Sequence, residues 1–365
     1  MANLAPRRTG LYVLLAVLLA QWDPAPAAAD DEGYVSVDAA YGTARTLVVT
    51  GRAFEEPPLP APEDEGSRLG NLVRSARLLD TDEYEDRPVT ITVANRTFET
   101  LTNRDGVYRI RVDCGKQAFP PGRTEVRVRV EIESGHSVVT SGTAYIYPAD
   151  VSRVVVSDFD DTLCHTGATE GAEVVWRVLT WDPERMEPVQ GMKDFLSALS
   201  KAREGAPQFP VFYLSAGPVN FQPRVEEFLE RNGFPPGTLL LRNFGIGGDA
   251  DPFSSEKYKT QHLTPLFGMY PEARFVLIGD SGEKDPKVYA GLRADYSDRV
   301  PAIFIRRVGG AERPEDEARL SDMVVFRDAA EAVKAALAKG LLAKPNEEGE
   351  SNEDEERADG DGPAR

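Results

Sequence analysis

The chain has few of the residues that cross-link small domains or bind zinc. Its 365 residues include two cysteines, Cys114 and Cys164, and three histidines, His136, His165 and His262. Because the cysteines fall in different predicted domains, they make no disulfide framework, and we expect two separate thiols. The histidines lie far apart in the sequence and show no zinc-ligand spacing. The composition therefore excludes a disulfide-rich scaffold and a small zinc-organised domain.

Basic residues are scarce relative to acidic ones. There are 42 lysines and arginines against 60 aspartates and glutamates, which gives a formal net charge of −18. Nine acidic and two basic residues fall within 346–365, and the rest of the chain is still acidic. Affinity for nucleic acid comes largely from neutralising its phosphates, so we expect no nucleic-acid partner. Residues 345–365 contain almost no apolar side chains and are predicted to be a disordered acidic tail.

Long apolar runs are absent after the N-terminus. Arg7 and Arg8 precede a short apolar run, Leu11–Ala20, and Ala27–Ala29 then supply small residues at a cleavage site. This pattern predicts a signal peptide over 1–29. An uncleaved membrane anchor is the alternative, although the run is too short to span a bilayer comfortably. We therefore expect an exported protein, periplasmic or secreted, in solution or at the periphery of a membrane.

Residues 30–150 are predicted to form an all-β domain. Apolar and polar side chains alternate in the predicted strands Thr46–Gly51, Val89–Val93, Tyr108–Val112 and Val126–Ile132. A proline-rich acidic loop and one short amphipathic helix interrupt this pattern within 55–79. Several short strands predict a small sandwich of the immunoglobulin or prealbumin-like type. The segment Thr100–Val112 resembles the prealbumin-like modules that lie beside many exported enzymes, so we expect a packing or docking role.

From residue 151 to residue 340 the pattern changes to alternating strands and helices. The predicted strands are Arg153–Ser157, Val211–Leu214, Leu239–Leu241, Phe275–Ile278, Ala302–Ile305 and Met323–Phe326. The predicted helices are Met192–Ala202, Arg224–Arg231, Thr260–Gly268 and Ala329–Ala338. This alternation indicates the α/β class, with a Rossmann-like, mostly parallel sheet covered on both faces.

A run of valines, Val154–Val156, is soon followed by the motif Asp-Phe-Asp-Asp-Thr at 158–162. A β-branched run that ends in carboxylates is typical of a buried strand that presents acids at the edge of a sheet. Ligands of open parallel sheets bind at the carboxyl ends of the strands. Asp158 and Asp160 at such an end can divide two tasks, attack on phosphorus and proton transfer, with a hard cation between them.

A serine and a lysine add the parts of a phosphate site. Ser215 directly follows a predicted strand, and the small residues Ala216 and Gly217 after it expose backbone N–H groups to a substrate. Lys257 or Lys259 lies just before a predicted helix. We prefer Lys259, because two leucines then fall on the helix face behind it, and we keep Lys257 as the alternative.

The loop 279–285 supplies two more acids, Asp280 and Asp285, after another predicted strand. A phosphate dianion repels a bare aspartate, and a metal ion held by acids offsets this repulsion. Serine, backbone N–H groups and lysine can then hold the phosphoryl oxygens. The four pieces together therefore favour phosphoryl transfer to a carboxylate.

The four motifs, in this order, resemble the haloacid-dehalogenase-like superfamily of phosphohydrolases. The resemblance implies that Asp158 is the nucleophile, that Asp160 is the general acid and base, and that Ser215 and Lys259 bind phosphate. It also implies a Mg²⁺ site made by Asp158, the backbone carbonyl of Asp160, Asp280 and Asp285. Asp160 favours a phosphatase or a phosphomutase, because the transport ATPases of the superfamily carry threonine there and its dehalogenases lack the second aspartate.

A closer resemblance is to the actin-patch-type, lipin-like phosphatidate phosphatase family. It rests on the segments Ser157–Thr166, Tyr213–Asn220, Leu240–Gly245 and Ile278–Tyr289. It implies Mg²⁺-dependent hydrolysis of phosphatidate or a related lipid phosphate, often beside a small β-sandwich. The short intervals between the motifs leave room only for a minimal cap, and an open site suits a phospholipid headgroup at a membrane surface. The export signal departs from the best-known members, which are intracellular.

Two other functions stay open at this point. The first is an exported phosphatase for soluble or macromolecular phosphomonoesters. The second, of a different class, is a surface interaction protein with a vestigial hydrolase domain, against which the complete set of acids, serine and lysine argues. Trp176 and Trp181 would either pack in the core or seat the domain at a lipid interface.

Several residues near the motifs have alternative roles. Thr162 and Arg242 are expected substrate contacts, although a structural ion pair is an equal alternative for Arg242. Asp161 is expected to be structural, because side chains alternate along an extended segment. His165 is a weaker candidate for a substrate contact, and Cys164 is expected to be a small apolar residue.

Overall fold

The computed structural model describes most of the chain between Gly33 and Ala343. The described residues are 33–55, 84–113, 115, 118–165, 186–201, 208–242, 255–309 and 319–343. The predicted signal peptide, the acidic tail, the amphipathic helix, Cys114 and the tryptophans at 176 and 181 lie outside these ranges. Within the described ranges, no helix has both the length and the hydropathy that crossing a bilayer requires.

The described residues before 150 form seven β-strands, here called the β domain. The strands are β1 (Tyr34–Thr43), β2 (Thr46–Phe54), β3 (Pro88–Val93), β4 (Arg96–Leu101), β5 (Val107–Asp113), β6 (Gly122–Glu133) and β7 (His136–Tyr147). Hydrogen bonds join them in one sheet, in the order β4-β3-β6-β7-β1-β2-β5. The edge strands β4 and β5 approach each other, so the sheet is barrel-like.

This single curled sheet confirms the all-β prediction and differs from the predicted sandwich. The pairing of β1 with β2 shifts register between Val37 and Ala39, and that of β6 with β7 shifts between Glu131 and Glu133. Such irregularities increase the local twist of a sheet. Strands as long as β6 and β7, with 12 residues each, coil further. One sheet can therefore wrap around its own apolar core.

Alternation explains which strands of the β domain were predicted. Ile91 of β3 pairs with Val128 of β6 inside the core, whereas Arg127 and Arg129 of β6 are exposed. β1, β4 and β7 were missed. In β4, no residue is fully buried, so its sequence carries little of the apolar pattern that marks a strand. Pairing with β3 holds it in the sheet through backbone hydrogen bonds.

The second half of the described chain contains a six-stranded sheet. Its strands are β8 (Arg153–Asp158), β9 (Val211–Pro218), β10 (Thr238–Arg242), β11 (Arg274–Asp280), β12 (Ala302–Arg306) and β13 (Val324–Phe326). All neighbours are parallel, in the order β10-β9-β8-β11-β12-β13. Counted within this sheet, the order is 3-2-1-4-5-6, as in doubly wound folds. The predicted α/β class and parallel sheet are confirmed, and the haloacid-dehalogenase-like assignment stays a prediction.

Helices cover both faces of the parallel sheet, and we call sheet and helices the α/β domain. The helices are α1 (Met192–Ser200), α2 (Gln222–Arg231), α3 (Ser255–Met269), α4 (Asp285–Asp295) and α5 (Ala329–Ala338). In β8, Val155 packs with α1, α2 and α5, whereas Val154 and Val156 pack with α3 and α4. α4 was missed, although Pro286 in its first turn is a typical start signal.

The two domains contact each other directly. Tyr41 of β1 packs edge-on against Phe212 of β9, with ring centroids 5.4 Å apart. Arg52 of β2, nearly buried, forms a salt bridge with Asp38 at 3.2 Å. Its Nη1 also donates to Asn220 Oδ1, in the turn after β9, at 2.5 Å. Both apolar and polar contacts therefore hold the β domain against the α/β domain.

Candidate active site

The carboxyl end of β8 places Asp158 in the middle of the parallel sheet, with β9 on one side and β11 on the other. The side chain is fully buried. Lys259 Nζ donates to Asp158 Oδ1 at 2.7 Å, and Thr162 Oγ1 donates to Asp158 Oδ2 at 3.2 Å. Because both carboxylate oxygens are held, the orientation of this acid is fixed.

Lys259 lies in the first turns of α3 and is fully buried. Its Nζ donates to Asp158, to Glu283 Oε2 at 3.0 Å and, through a short contact, to Asp285 Oδ1. Lys257, two residues earlier, is exposed. Residues two apart lie on different faces of a helix, which is why only one of the two lysines can reach the acids.

Asp160 and Ser215 form a second pair. Ser215 Oγ, at 0% exposure, donates to Asp160 Oδ2 at 2.7 Å, and the Gly217 backbone N–H donates to Ser215 Oγ at 3.0 Å. Ser215, Ala216 and Gly217 all lie within β9, which runs four residues beyond the predicted strand end, and Ala216 and Gly217 are half-buried. Burial, and after it the charge of Glu283, raises the pKa of Asp160 to about 7. The Asp160 carboxyl group therefore lies near the loop that follows β11, which contains Glu283.

Asp161 adopts a left-handed backbone conformation, with φ of 51°. Its carbonyl oxygen accepts a hydrogen bond from Arg306 Nη1 at 2.6 Å. The chain therefore turns at Asp161, and the prediction of an extended backbone there is wrong. Aspartate is one of the non-glycine residues that tolerate this conformation. Cys164 nearby is buried with a free thiol.

The connection from β11 to α4 supplies the remaining acids. Asp280 Oδ1 accepts the backbone N–H groups of Gly282 at 2.6 Å and of Glu283 at 3.1 Å. Asp285, in the first turn of α4, accepts the Asp280 backbone N–H at 3.2 Å. Gly279 makes room for this, because a Cβ atom there would lie 2.3 Å from Asp285 Oδ2.

The cluster contains more acidic side chains than basic ones. Burial, and next the charge of Asp285, raises the pKa of Asp158 well above its usual range, although Lys259 opposes the shift. Burial and Asp285 likewise raise the pKa of Asp280. Burial disfavours the Lys259 ammonium, but its carboxylate partners outweigh burial and raise its pKa. An ion pair normally lowers the pKa of its acid, but here burial and the repulsion between carboxylates outweigh the one ammonium that they share.

Three aspartates have the arrangement of a cation site. Asp158, Asp280 and Asp285 can each place one carboxylate oxygen within 4.8 Å of the others. Asp280 Oδ2 is buried and has no hydrogen-bond partner within the described ranges. Carboxylate oxygens are ligands that Mg²⁺ prefers, and its charge would offset the excess of acids. The donor set therefore fits a hard divalent cation.

Two predicted contacts lie outside this cluster. Arg242 ends β10, and its guanidinium lies 5.3 Å from the ring centroid of Tyr258, the residue before Lys259, so it borders the site. His165 is exposed, and its backbone N–H donates to the Glu187 carbonyl at 2.9 Å. The open-site prediction stays a prediction, because 166–185 lie outside the described residues.

The sequence interpretation missed two residues of the site, Glu283 and Arg306. The sequence does contain a signal for Glu283, because it is a third acid in the same short loop as Asp280 and Asp285. Arg306 ends β12 and acts on a backbone carbonyl, which leaves no sequence pattern. A groove of about 550 Å³ lies elsewhere, between the β domain and α2, and none of the clustered acids lines it.

The fold and the site define an α/β protein with an acid, serine and lysine cluster at the carboxyl edge of a doubly wound parallel sheet. Residues 153–307 match the family described as "Phosphatidate phosphatase APP1, catalytic domain". This match confirms, for residues 153–307, the predicted resemblance to the APP1-type, lipin-like phosphatidate phosphatase family. The predicted enzyme class, phosphoric monoester hydrolase, agrees with the match.

Two curated relatives give the extent of the similarity. "Phosphatidate phosphatase APP1" of Saccharomyces cerevisiae is 27% identical over 192 residues, which are 52% of this chain and 31% of that protein. "Uncharacterized protein C29B5.04c" of Schizosaccharomyces pombe is 27% identical over 157 residues, 42% of this chain and 25% of that protein. The chain thus spans about a third or less of the length of these relatives.

Similarity to solved structures is weak. A carbohydrate acetylesterase from Xanthomonas citri aligns over 78% of this chain and 65% of its own, with 10% identity and a TM-score of 0.26. A TM-score this low carries no argument about fold or function.

Proposed function

We propose that the α/β domain hydrolyses phosphomonoesters through an aspartyl-phosphate, with Mg²⁺, and that its substrate is phosphatidate or a related lipid phosphate. One observation carries the proposal. Asp158 is buried at the sheet edge, held by Lys259 and Thr162, inside the segment that matches the phosphatase family. The name of the Saccharomyces cerevisiae relative supports the choice of substrate.

In the first step, an Asp158 carboxylate oxygen attacks phosphorus and the bond to the alcohol oxygen breaks. Asp160 gives its proton to the departing alkoxide, so that the alcohol leaves neutral. In the second step, the Asp160 carboxylate takes a proton from water, and the water oxygen attacks the phosphorus of the aspartyl-phosphate. Inorganic phosphate leaves, and Asp158 is regenerated as a carboxylate. Because Asp158 and Asp160 lie two residues apart at one strand end, both can act on the same phosphoryl group.

The other residues of the site bind and orient the reacting groups. Lys259, Ser215 and the N–H groups around Gly217 bind phosphoryl oxygens as their charge redistributes. Asp158, Asp280 and Asp285, with the Asp160 carbonyl, would hold Mg²⁺, which supplies positive charge that reduces repulsion between the carboxylate and the phosphate. Thr162 keeps the second oxygen of Asp158 in place.

The test of substrate class is a phosphate-release screen. Phosphatidate in mixed micelles is compared with sugar phosphates and nucleotide monophosphates, with Asp158→Asn as the blank. We expect release from phosphatidate to exceed release from the soluble esters. Turnover of the soluble esters alone would favour a phosphatase for soluble phosphomonoesters. Release no faster than the blank on every substrate would favour an interaction protein instead.

Magnesium is expected to stabilise the fold as well as support turnover. Saturating Mg²⁺ should raise the melting temperature of the metal-free protein by about 5 °C, because a ligand that binds the native state stabilises it by mass action. Asp280→Asn should remove this shift, and Asp295→Asn, a change at an exposed aspartate at the end of α4, should keep it. A chelator should stop phosphate release. Equal shifts in both variants, or turnover in excess chelator, would contradict the metal site.

A methyl group at Gly279 is expected to displace a site acid. In Gly279→Ala, the added Cβ would lie 2.3 Å from Asp285 Oδ2 and 2.7 Å from its Cγ, so Asp285 must move. A displacement of about 1 Å in a positioned group can lower a rate about a hundredfold. The matched control is Gly291→Ala in α4, where a Cβ meets nothing within 4 Å. Rates and melting temperatures are measured for both, and equal rates would contradict the expected role of Asp285.

A further inference from the structure

The Lys259 ammonium has three N–H donors, and three carboxylates engage them. They belong to Asp158 at 2.7 Å, to Glu283 at 3.0 Å and to Asp285. In the proposed function Lys259 binds a phosphoryl oxygen. That oxygen must therefore replace one of the three carboxylates.

The three carboxylates differ in how firmly they are held. Asp158 and Asp285 are fully buried, and the second oxygen of each accepts another hydrogen bond, from Thr162 and from the Asp280 backbone. The Glu283 side chain is 22% exposed and comes from the short connection between β11 and α4. Glu283 is therefore the partner that can leave Lys259 without unpacking the site.

The backbone of Glu283 can stay in place while its side chain moves. Its N–H is held by Asp280 Oδ1 at 3.1 Å. The side chain has free torsions beyond Cα, so rotation between staggered positions suffices to release Lys259. The charge of Glu283 also raises the pKa of Asp160, so this carboxylate lies near the proton donor of the proposed reaction.

We propose that Glu283 is an internal competitor of phosphate: its carboxylate takes the Lys259 donor that a substrate phosphoryl group uses, and bound phosphate displaces it. The inference rests on the proposed function. It makes Glu283 a positioning residue that acts through Lys259. Its competition weakens the binding of substrate and of the product phosphate alike, which favours product release. A dianionic monoester also displaces the carboxylate more readily than a monoanionic diester does, which favours monoesters.

The test is Glu283→Gln, which removes the charge and keeps the size of the side chain. We expect the inhibition constant for inorganic phosphate and the KM for substrate to fall about tenfold, the effect of one charge-assisted hydrogen bond lost by the competitor. We expect kcat to stay unchanged or to fall, because product leaves more slowly. The matched control is Glu256→Gln, which breaks the exposed pair of Glu256 with Lys287 and leaves the cluster intact.

The direction of the change separates this role from a structural one. If Glu283 only supported the site, its loss would raise KM and the inhibition constant. Equilibrium dialysis of inorganic phosphate with Mg²⁺ gives a readout that needs no turnover. Tighter binding by Glu283→Gln than by wild type supports the inference, even if no monoester is hydrolysed and the proposed function fails. Equal or weaker binding, or no binding to either protein, overturns it even when the wild type is active.

Discussion

Asp158→Asn is expected to stop phosphate release while the fold stays in place. The amide has nearly the shape of the carboxylate, and its oxygen can still accept a hydrogen bond from Lys259 or Thr162. It cannot attack phosphorus, so no aspartyl-phosphate forms. We expect the rate to fall by a factor on the order of a thousand or more, the scale seen when a covalent nucleophile is removed. Phosphate release is measured on phosphatidate micelles, and circular dichroism follows thermal unfolding.

Asp161→Asn is the matched control for that experiment. Asp161 is another buried aspartate of the same motif, and it contributes a turn and a carbonyl oxygen to Arg306. Asparagine tolerates the left-handed conformation as well as aspartate does. We expect its rate to stay within a few-fold of wild type. Retained activity in Asp158→Asn, or equal losses in the two variants, would show that the nucleophile is assigned to the wrong residue.

Lys259→Met is expected to cost both activity and stability. Methionine is unbranched and of similar length, so packing in α3 changes little. Its loss of charge leaves Asp158, Asp285 and Glu283 without their shared ammonium. Breaking a buried ion pair by removing one partner costs about 3–5 kcal/mol. Loss of one positioned donor to the phosphoryl group lowers kcat by a factor of about 10²–10³. Chemical unfolding in chelator and phosphate release with Mg²⁺ measure the two effects.

The stability loss has a defined dependence on pH. The carboxyl groups of Asp158 and Asp285 have raised pKa values in the folded protein. A raised folded pKa favours the native state at low pH, and that contribution is lost as the pH rises through the folded pKa. Without Lys259 the acids repel more strongly, so the destabilisation in chelator should be larger at pH 8 than at pH 5.

Lys257→Met is the control, because Lys257 is exposed on the same helix. We expect its rate and its free energy of unfolding to match those of wild type. Equal effects of the two substitutions would mean that the buried cluster does not depend on Lys259.

Local pattern predicted much of the parallel sheet. All six of its strands were predicted within a few residues, because continuous apolar runs such as Val154–Val156 are typical of strands buried on both faces. α3 begins at Ser255 and not at Thr260, since its first turn is polar and gains its helical order from the buried Tyr258 and Lys259. In the β domain, polar strands such as β4 carry no such pattern. Their place depends on a partner strand far away in the chain.

The sequence alone determined the chemical inventory of the site: which acids, which serine and the strand ends that carry them. Those are local properties, since a strand's direction and burial follow from a few neighbouring residues. Only the tertiary structure decided that Lys259 meets Asp158 across 101 residues of chain, that Glu283 joins them, and that the two edge strands of the first sheet approach each other. These depend on strand order and helix packing, because contacts between distant residues arise when separate buried faces cover one another, and no local pattern encodes which faces meet.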